Sequence, residues 1–110
     1  MNTKELLDPI KPGEILKDDF MEPFRISINQ LSRDLSVPLN RISEIVNGKR
    51  SITADTALRL QRYFGIDAQF WLNLQSEYDL RLMKRKIWSD IEQRIIPIQK
   101  FDIALESGNA

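Results

Sequence analysis

Apolar residues recur along this chain at intervals of three and four, the spacing that turns one stripe of a helix toward a core. Pro12 suits a first helical turn, and Ile15, Leu16 and Phe20 then share one face before Pro23 stops the run. Ser27 is the expected cap of a second helix, in which Ile28, Leu31 and Leu35 repeat at i, i+3 and i+7. Pro38 opens a third, with Leu39, Ile42, Ile45 and Val46 apolar and Gly48 as its stop. Thr53 is the expected cap of a fourth. There Asp55 suits the positive end of the helix dipole, Ala57, Leu58, Leu60 and Phe64 supply the apolar face, and Gly65 ends it. Asp67 is the expected cap of a fifth, along which Trp71, Leu74, Tyr78 and Leu82 recur on one stripe. Few segments alternate apolar and polar as a strand would, so the pattern predicts an all-α domain of five helices.

From Asp67 to Ile96 the chain contains neither Gly nor Pro, which fits one long helix or two with a break near Lys84-Arg85-Lys86. Ile87, Ile91 and Ile95 recur every four residues with Trp88 beside them, while Arg94 to Ile98 reads equally well as a short extended segment. Glu106 to Ala110 is expected to fray.

Composition narrows the chemistry. At 110 residues the chain is long enough for one domain burying about two-thirds of its unfolded surface. It has no Cys and no His, which removes disulfides, thiol nucleophiles, Ser-His catalysis and the commonest metal ligand. The four glycines stand at 13, 48, 65 and 108, too far apart for a phosphate-cradling loop. Nothing assembles a nucleophile with a base, so no catalytic residue, metal or cofactor is expected and the chain reads as a non-enzyme. No apolar run approaches the roughly 20 residues that span a bilayer. The start, Met1 to Pro9, lacks the cationic head and apolar stretch of a secretory signal, which makes the cytoplasm the expected location.

Lys plus Arg equals Asp plus Glu at 16 each, but the charge is unevenly spread. Residues 1–24 carry a balance of −3, residues 25–62 a balance of +4, and residues 63–110 a balance of −1. A basic middle segment is an electrostatic footprint for phosphates, though a solvated helix surface has the same composition.

The basic segment contains the spacing of a helix-turn-helix, from Ser27 to Gly48. Two short helices cross steeply only if their facing residues interlock across a short turn. Leu31, Leu35, Val37, Ile42 and Ile45 stand where that interlock needs apolar groups, and Ser32 is small enough for close approach. Ser36 occupies the turn position where φ is positive and Gly is often preferred. An ordinary α-α corner with no ligand would share this spacing. The outward face of the third helix argues for a ligand, because it carries Asn40, Arg41, Ser43, Glu44 and Asn47 in place of the Glu and Lys repeats of a solubility face. Asn pairs with adenine, Glu accepts from the cytosine amino group, and Arg pairs with guanine or clamps phosphate. Lys49 and Arg50 follow directly, placed to grip the backbone together with Ser27 and the start of the second helix.

These residues carry a resemblance. Lys11-Pro12-Gly13-Glu14-Ile15-Leu16 is similar to the opening of the HigA-type, or VapI-like, antitoxins of the XRE, lambda-repressor-like helix-turn-helix group. The likeness continues through Asn40 to Arg50, through Ile52 to Leu60, and through Tyr63-Phe64-Gly65 into Phe70-Trp71-Leu72-Asn73-Leu74-Gln75, covering about residues 11–82. Lys11 stands where relatives often carry His. The resemblance implies a lambda-repressor-like domain at 11–82, an N-terminal arm at 1–10 and a C-terminal extension at 83–110. It also implies a homodimeric antitoxin that binds double-stranded operator DNA, represses its own operon and neutralises a HigB-type toxin, a small basic ribonuclease acting on translated messenger RNA. By position, Leu39, Asn40, Ser43 and Glu44 would face bases, while Ser27, Arg41, Asn47, Lys49 and Arg50 would face phosphates.

Two further features have bland and sharp readings. Trp71 and Trp88 sit at helical spacing, where aromatics serve a core or a dimer interface more readily than a ligand clamp. Dimerisation is expected through Trp71, Leu74, Tyr78 and Leu82, extended by Trp88 and Ile91. Asp18, Asp19 and Glu22 lack the partners of a metal site and read as an acidic surface suited to a basic toxin. A stand-alone repressor without a toxin gene, or a pure protein-interaction module, remains open on the same residues.

Overall fold

The computed structural model describes residues 8–98; the first seven residues of the expected arm, and the expected fraying of Glu106 to Ala110, lie outside that range. Among the described residues, five helices follow in chain order: α1 (Pro12–Ile15, passing directly into a π-helical segment, Leu16–Met21), α2 (Ile28–Leu35), α3 (Leu39–Val46), α4 (Ala54–Phe64) and α5 (Ala68–Arg94). No strand occurs among the described residues.

The π-helical turn solves a packing problem that an α-helix would leave open. Glu22 N–H donates to Lys17 O at 2.9 Å and Ile26 N–H to Met21 O at 2.9 Å, both five residues back. This widened turn lets Leu16 and Met21, also five apart, reach the same buried side. The segment closes through Arg25, whose φ is 55°.

The α2–α3 turn depends on one left-handed residue. Ser36 has φ 58° and ψ 47°, with its N–H donating to Arg33 O at 3.1 Å and Val37 N–H donating to Ser32 O at 3.0 Å. That pair of bonds satisfies the last carbonyls of α2 and turns the chain sharply into α3. Ser27 Oγ caps α2 by accepting from Gln30 N–H at 3.0 Å, and Asp67 Oδ1 caps α5 by accepting from Gln69 N–H at 3.3 Å. Thr53 departs from expectation: it precedes α4 with extended backbone, but its side chain makes no capping bond.

Leu16, Leu31, Leu35, Ile42, Ile45, Ile52, Ala57 and Leu60 form the buried centre together with Trp71. Phe20 lies 4.8 Å from the Trp71 ring and 5.3 Å from Phe64, joining α5 and α4 to the π-helical segment. Two expected core residues lie outside it. Leu58 is 59% exposed, because Thr56, Ala57 and Leu60 define the inward face of α4. Leu39 is 50% exposed at the first position of α3.

Helix α5 is a single helix of 27 residues, about 40 Å long, unbroken through Lys84-Arg85-Lys86. Its first two turns pack on the core, and beyond Tyr78 nearly every residue is exposed. Trp71 is 0% exposed, which corrects its expected place at a dimer interface: the ring is buried in the chain's own core. Leu74 and Tyr78 are half-buried, while Leu82 and Trp88 are exposed at 38% and 44%.

Gly13 stands where two backbones approach too closely for a side chain. A Cβ there would stand 1.8 Å from Ile45 O and 2.7 Å from Ile45 C, both backbone atoms of α3. Ala in place of Gly ordinarily favours a helix by roughly 0.5–1 kcal/mol. Here the clash decides the sign, and Gly13→Ala should lower unfolding stability by at least about 2 kcal/mol, read from urea denaturation.

Candidate nucleic-acid interface

Helix α3 buries Ile42, Ile45 and Val46, which leaves a contiguous outward edge of Leu39, Asn40, Ser43 and Asn47. Leu39, Asn40 and Asn47 are exposed, and Ser43 and Glu44 are half-buried. The helix is stopped by the turn at Asn47 and Gly48, where Gly48 has φ 77° and its N–H donates to Ile45 O at 3.0 Å. Lys49 and Arg50 follow, both exposed. Ser27 is exposed at the start of α2, where its Oγ accepts from backbone and keeps its own O–H to donate.

The expected phosphate ligands are not all free cations. Arg41 donates from Nη1 to Asp55 Oδ2, and Arg50 Nε pairs with Glu44 Oε1 at 2.8 Å. Glu44, expected to meet a base, is therefore engaged with Arg50 in the protein alone. Asp55 also accepts from Arg59 Nε at 3.1 Å. The Arg41 and Arg59 guanidiniums hold the Asp55 carboxyl below its ordinary value, the Arg41 hydrogen bond contributing most. Arg59 in turn donates from Nη1 to Leu35 O at 2.7 Å and Ser36 O at 3.3 Å, gripping the end of α2 at the turn into α3. An open cleft of about 240 Å³ lies here, lined by Arg41, Arg50, Arg59, Asp55 and the hydroxyl residues Ser51 and Thr53.

Behind this edge, the loop after α3 is fastened to α5. Ile52 N–H donates to Gln75 Oε1 at 2.8 Å in a buried bond, and Gln75 Nε2 donates to Asp79 Oδ1 at 3.0 Å. On the far side of α2, Tyr63 O–H donates to Asp34 Oδ2 at 2.7 Å, which raises the Tyr63 pKa.

Comparison with known proteins agrees with this architecture. The helix-turn-helix family matches residues 19–71. Virulence-associated protein I of Dichelobacter nodosus is 50% identical over 82 residues, spanning 74% of this chain and 76% of that protein. Among solved structures, a HigA-family addiction module antidote protein of Coxiella burnetii superposes with a TM-score of 0.78 at 47% identity, covering 83% of this chain and 99% of that one. Pseudomonas aeruginosa antitoxin HigA, solved with the higBA promoter, superposes with a TM-score of 0.80 at 47% identity over the same shares. This chain belongs to the HigA-type antitoxin family.

Three residues of the HigA-type framework escape a reading by local periodicity. Asp55 reads as a first-turn acid, Arg59 as a surface cation and Gln75 as a polar interruption of a stripe. Their partners lie 14, 24 and 23 residues away, at Arg41, Leu35 and Ile52. Only a buried polar residue on an apolar stripe, as at Gln75, carries any sequence signal.

Gln75→Leu should cost about 1–3 kcal/mol in urea denaturation, because it leaves the buried Ile52 N–H without an acceptor. Asp55 is lowered in the folded state, so its stabilising share is complete above the ordinary value of 3.8 and is lost as pH falls through its folded value. The difference in melting temperature between wild type and Asp55→Asn should therefore be larger at about pH 7 than at about pH 2.

Proposed function

We infer that this chain is an operator-binding antitoxin that represses its own operon and neutralises a HigB-type toxin encoded beside it. The observation that carries the DNA half is the likeness to Pseudomonas aeruginosa HigA, solved with the higBA promoter, across 83% of this chain. In this reading α3 enters the major groove. Asn40 and Ser43 read base edges, and Leu39 offers apolar contact to a thymine methyl. Asn47, Lys49 and Ser27 hold phosphates, while Arg41 and Arg50 do so from their carboxylate pairs. Glu44 reaches a base only if Arg50 releases it, so its part in readout is smaller than its position on α3 suggests.

A two-fold operator calls for a dimer, since one helix in one groove discriminates weakly. We assign the dimer contact to the part of the expected α5 stripe that the core leaves available, the half-buried Leu74 and Tyr78 with the exposed Leu82, and leave Trp71 out of it. The toxin is a small basic ribonuclease, and the acidic Asp18 and Asp19 of the π-helical segment suit such a partner, with Glu22 just after it already paired with Lys17 at 3.5 Å. Binding to operator DNA supports the cytoplasm as the location. No helix among the described residues is long and apolar enough to cross a membrane.

Fluorescence anisotropy on the chain's own upstream DNA, against a scrambled duplex and across a salt series, tests the reading. Preference for the native fragment is expected, with affinity falling steeply as salt rises. Equal binding to both duplexes would reduce the surface to a nonspecific basic patch. Co-expression with the adjacent reading frame separates an antitoxin from a stand-alone repressor. Rescue of growth from a toxic neighbour is expected, and a harmless neighbour would leave the repressor.

A further inference from the structure

The geometry points to Asp55 as the positioning residue for Arg41, aiming its guanidinium at the DNA backbone. The inference rests on the operator-binding reading and adds a residue that does not itself face DNA in that reading.

Arg59 is the anchor of the arrangement. Its Nη1 is taken by the Leu35 and Ser36 carbonyls at the end of α2, where a cation also suits the negative end of the helix dipole. Its Nε is taken by Asp55. Arg59 is thus spent on protein groups and holds the Asp55 carboxylate in one place. Asp55 passes that fixed position to α3 through its bond to Arg41. Arg41 commits Nη1 to this bond, and a guanidinium has five N–H donors, so the remainder of its fork stays available to a phosphate. The Arg41-Asp55-Arg59 cluster keeps a formal charge of +1, and its side chains are neither buried nor fully free.

Two effects of the carboxylate oppose each other. A negative charge near DNA lowers affinity, and removing it should tighten binding on charge alone. Yet an unrestrained Arg side chain must be ordered each time it meets a phosphate, and Asp55 does that ordering before DNA arrives. The Asp55 charge is already offset by two cations and is screened by salt, so ordering dominates and loss of the carboxylate weakens binding.

The test is a double-mutant cycle on operator DNA, comparing wild type, Asp55→Asn, Arg41→Ala and the double variant across a salt series. Asp55→Asn should weaken operator binding by about tenfold. Arg41→Ala should weaken it at least as much, and the double variant should bind no worse than Arg41→Ala. The slope of log affinity against log salt should shrink in Asp55→Asn, toward the value for Arg41→Ala. A merely misfolded fraction would lower the active concentration without changing that slope. Binding by Asp55→Asn as tight as wild type or tighter overturns the role, as does an equal loss in the Arg41→Ala background. Wild-type protein that fails to prefer its operator overturns the DNA reading itself, and the positioning role with it.

Discussion

Helix α3 can lie against the start of α1 only because Gly13 has no side chain. The Ile45 carbonyl occupies the space that a Cβ at position 13 would fill, 1.8 Å from where that atom would stand. This backbone-to-backbone contact sets the depth at which α3 is seated, and Ile42, Ile45 and Val46 complete the seat from within. Fully burying such a side chain is worth about 1.5–3 kcal/mol, whereas an exposed ion pair contributes roughly 0–1 kcal/mol. The apolar seat therefore holds α3 in place. The Arg41–Asp55 pair, partly exposed, decides only where one guanidinium points.

Around that seat, polar groups tie the outward edge of α3 to the rest of the domain at both ends. At one end the left-handed Ser36 turns the chain from α2 into α3, and Arg59 holds the carbonyl oxygens there. At the other, Gln75 takes the buried N–H of Ile52, so the segment leaving α3 is fixed to α5. The loop bearing Lys49 and Arg50 lies between α3 and this tether. A chain of zero net charge keeps oriented cations at this edge because its acids are partners: Glu44 and Asp55 sit against Arg50 and Arg41. Pairing leaves part of each guanidinium available and fixes its orientation.

Helix α5 divides its labour along its length. Its beginning contributes Trp71 to the core and Gln75 to the loop tether, and its remainder projects with Leu80, Met83 and Trp88 exposed and Arg85 paired with Asp8 of the N-terminal segment at 2.9 Å. One continuous helix thus joins the packed domain to a projecting segment of mixed charged and apolar residues, and the overall extents of 56 × 30 × 24 Å reflect it.

The all-α class, the order of the five helices among the described residues, the Ser27 and Asp67 caps and the left-handed turn at Ser36 were all legible in residue order. These are local facts, written in residues one to four positions apart, where helical period and capping chemistry act. The outward edge of α3 was legible for the same reason, since residues opposite a buried stripe must face out. The rest follows from how the helices pack. Leu58 is as apolar as Leu60, yet one is exposed and the other buried, because α4 offers a single narrow face to the core. Trp71 and Trp88 share one helix, and only the position of Phe20 and the π-helical turn makes the first a core residue. The pairings of Arg41, Arg59 and Gln75 bridge 14 to 24 residues of chain, and no periodicity reaches that far. Which cations are free to meet a phosphate is therefore a property of how the helices pack, and the order of residues alone does not contain it.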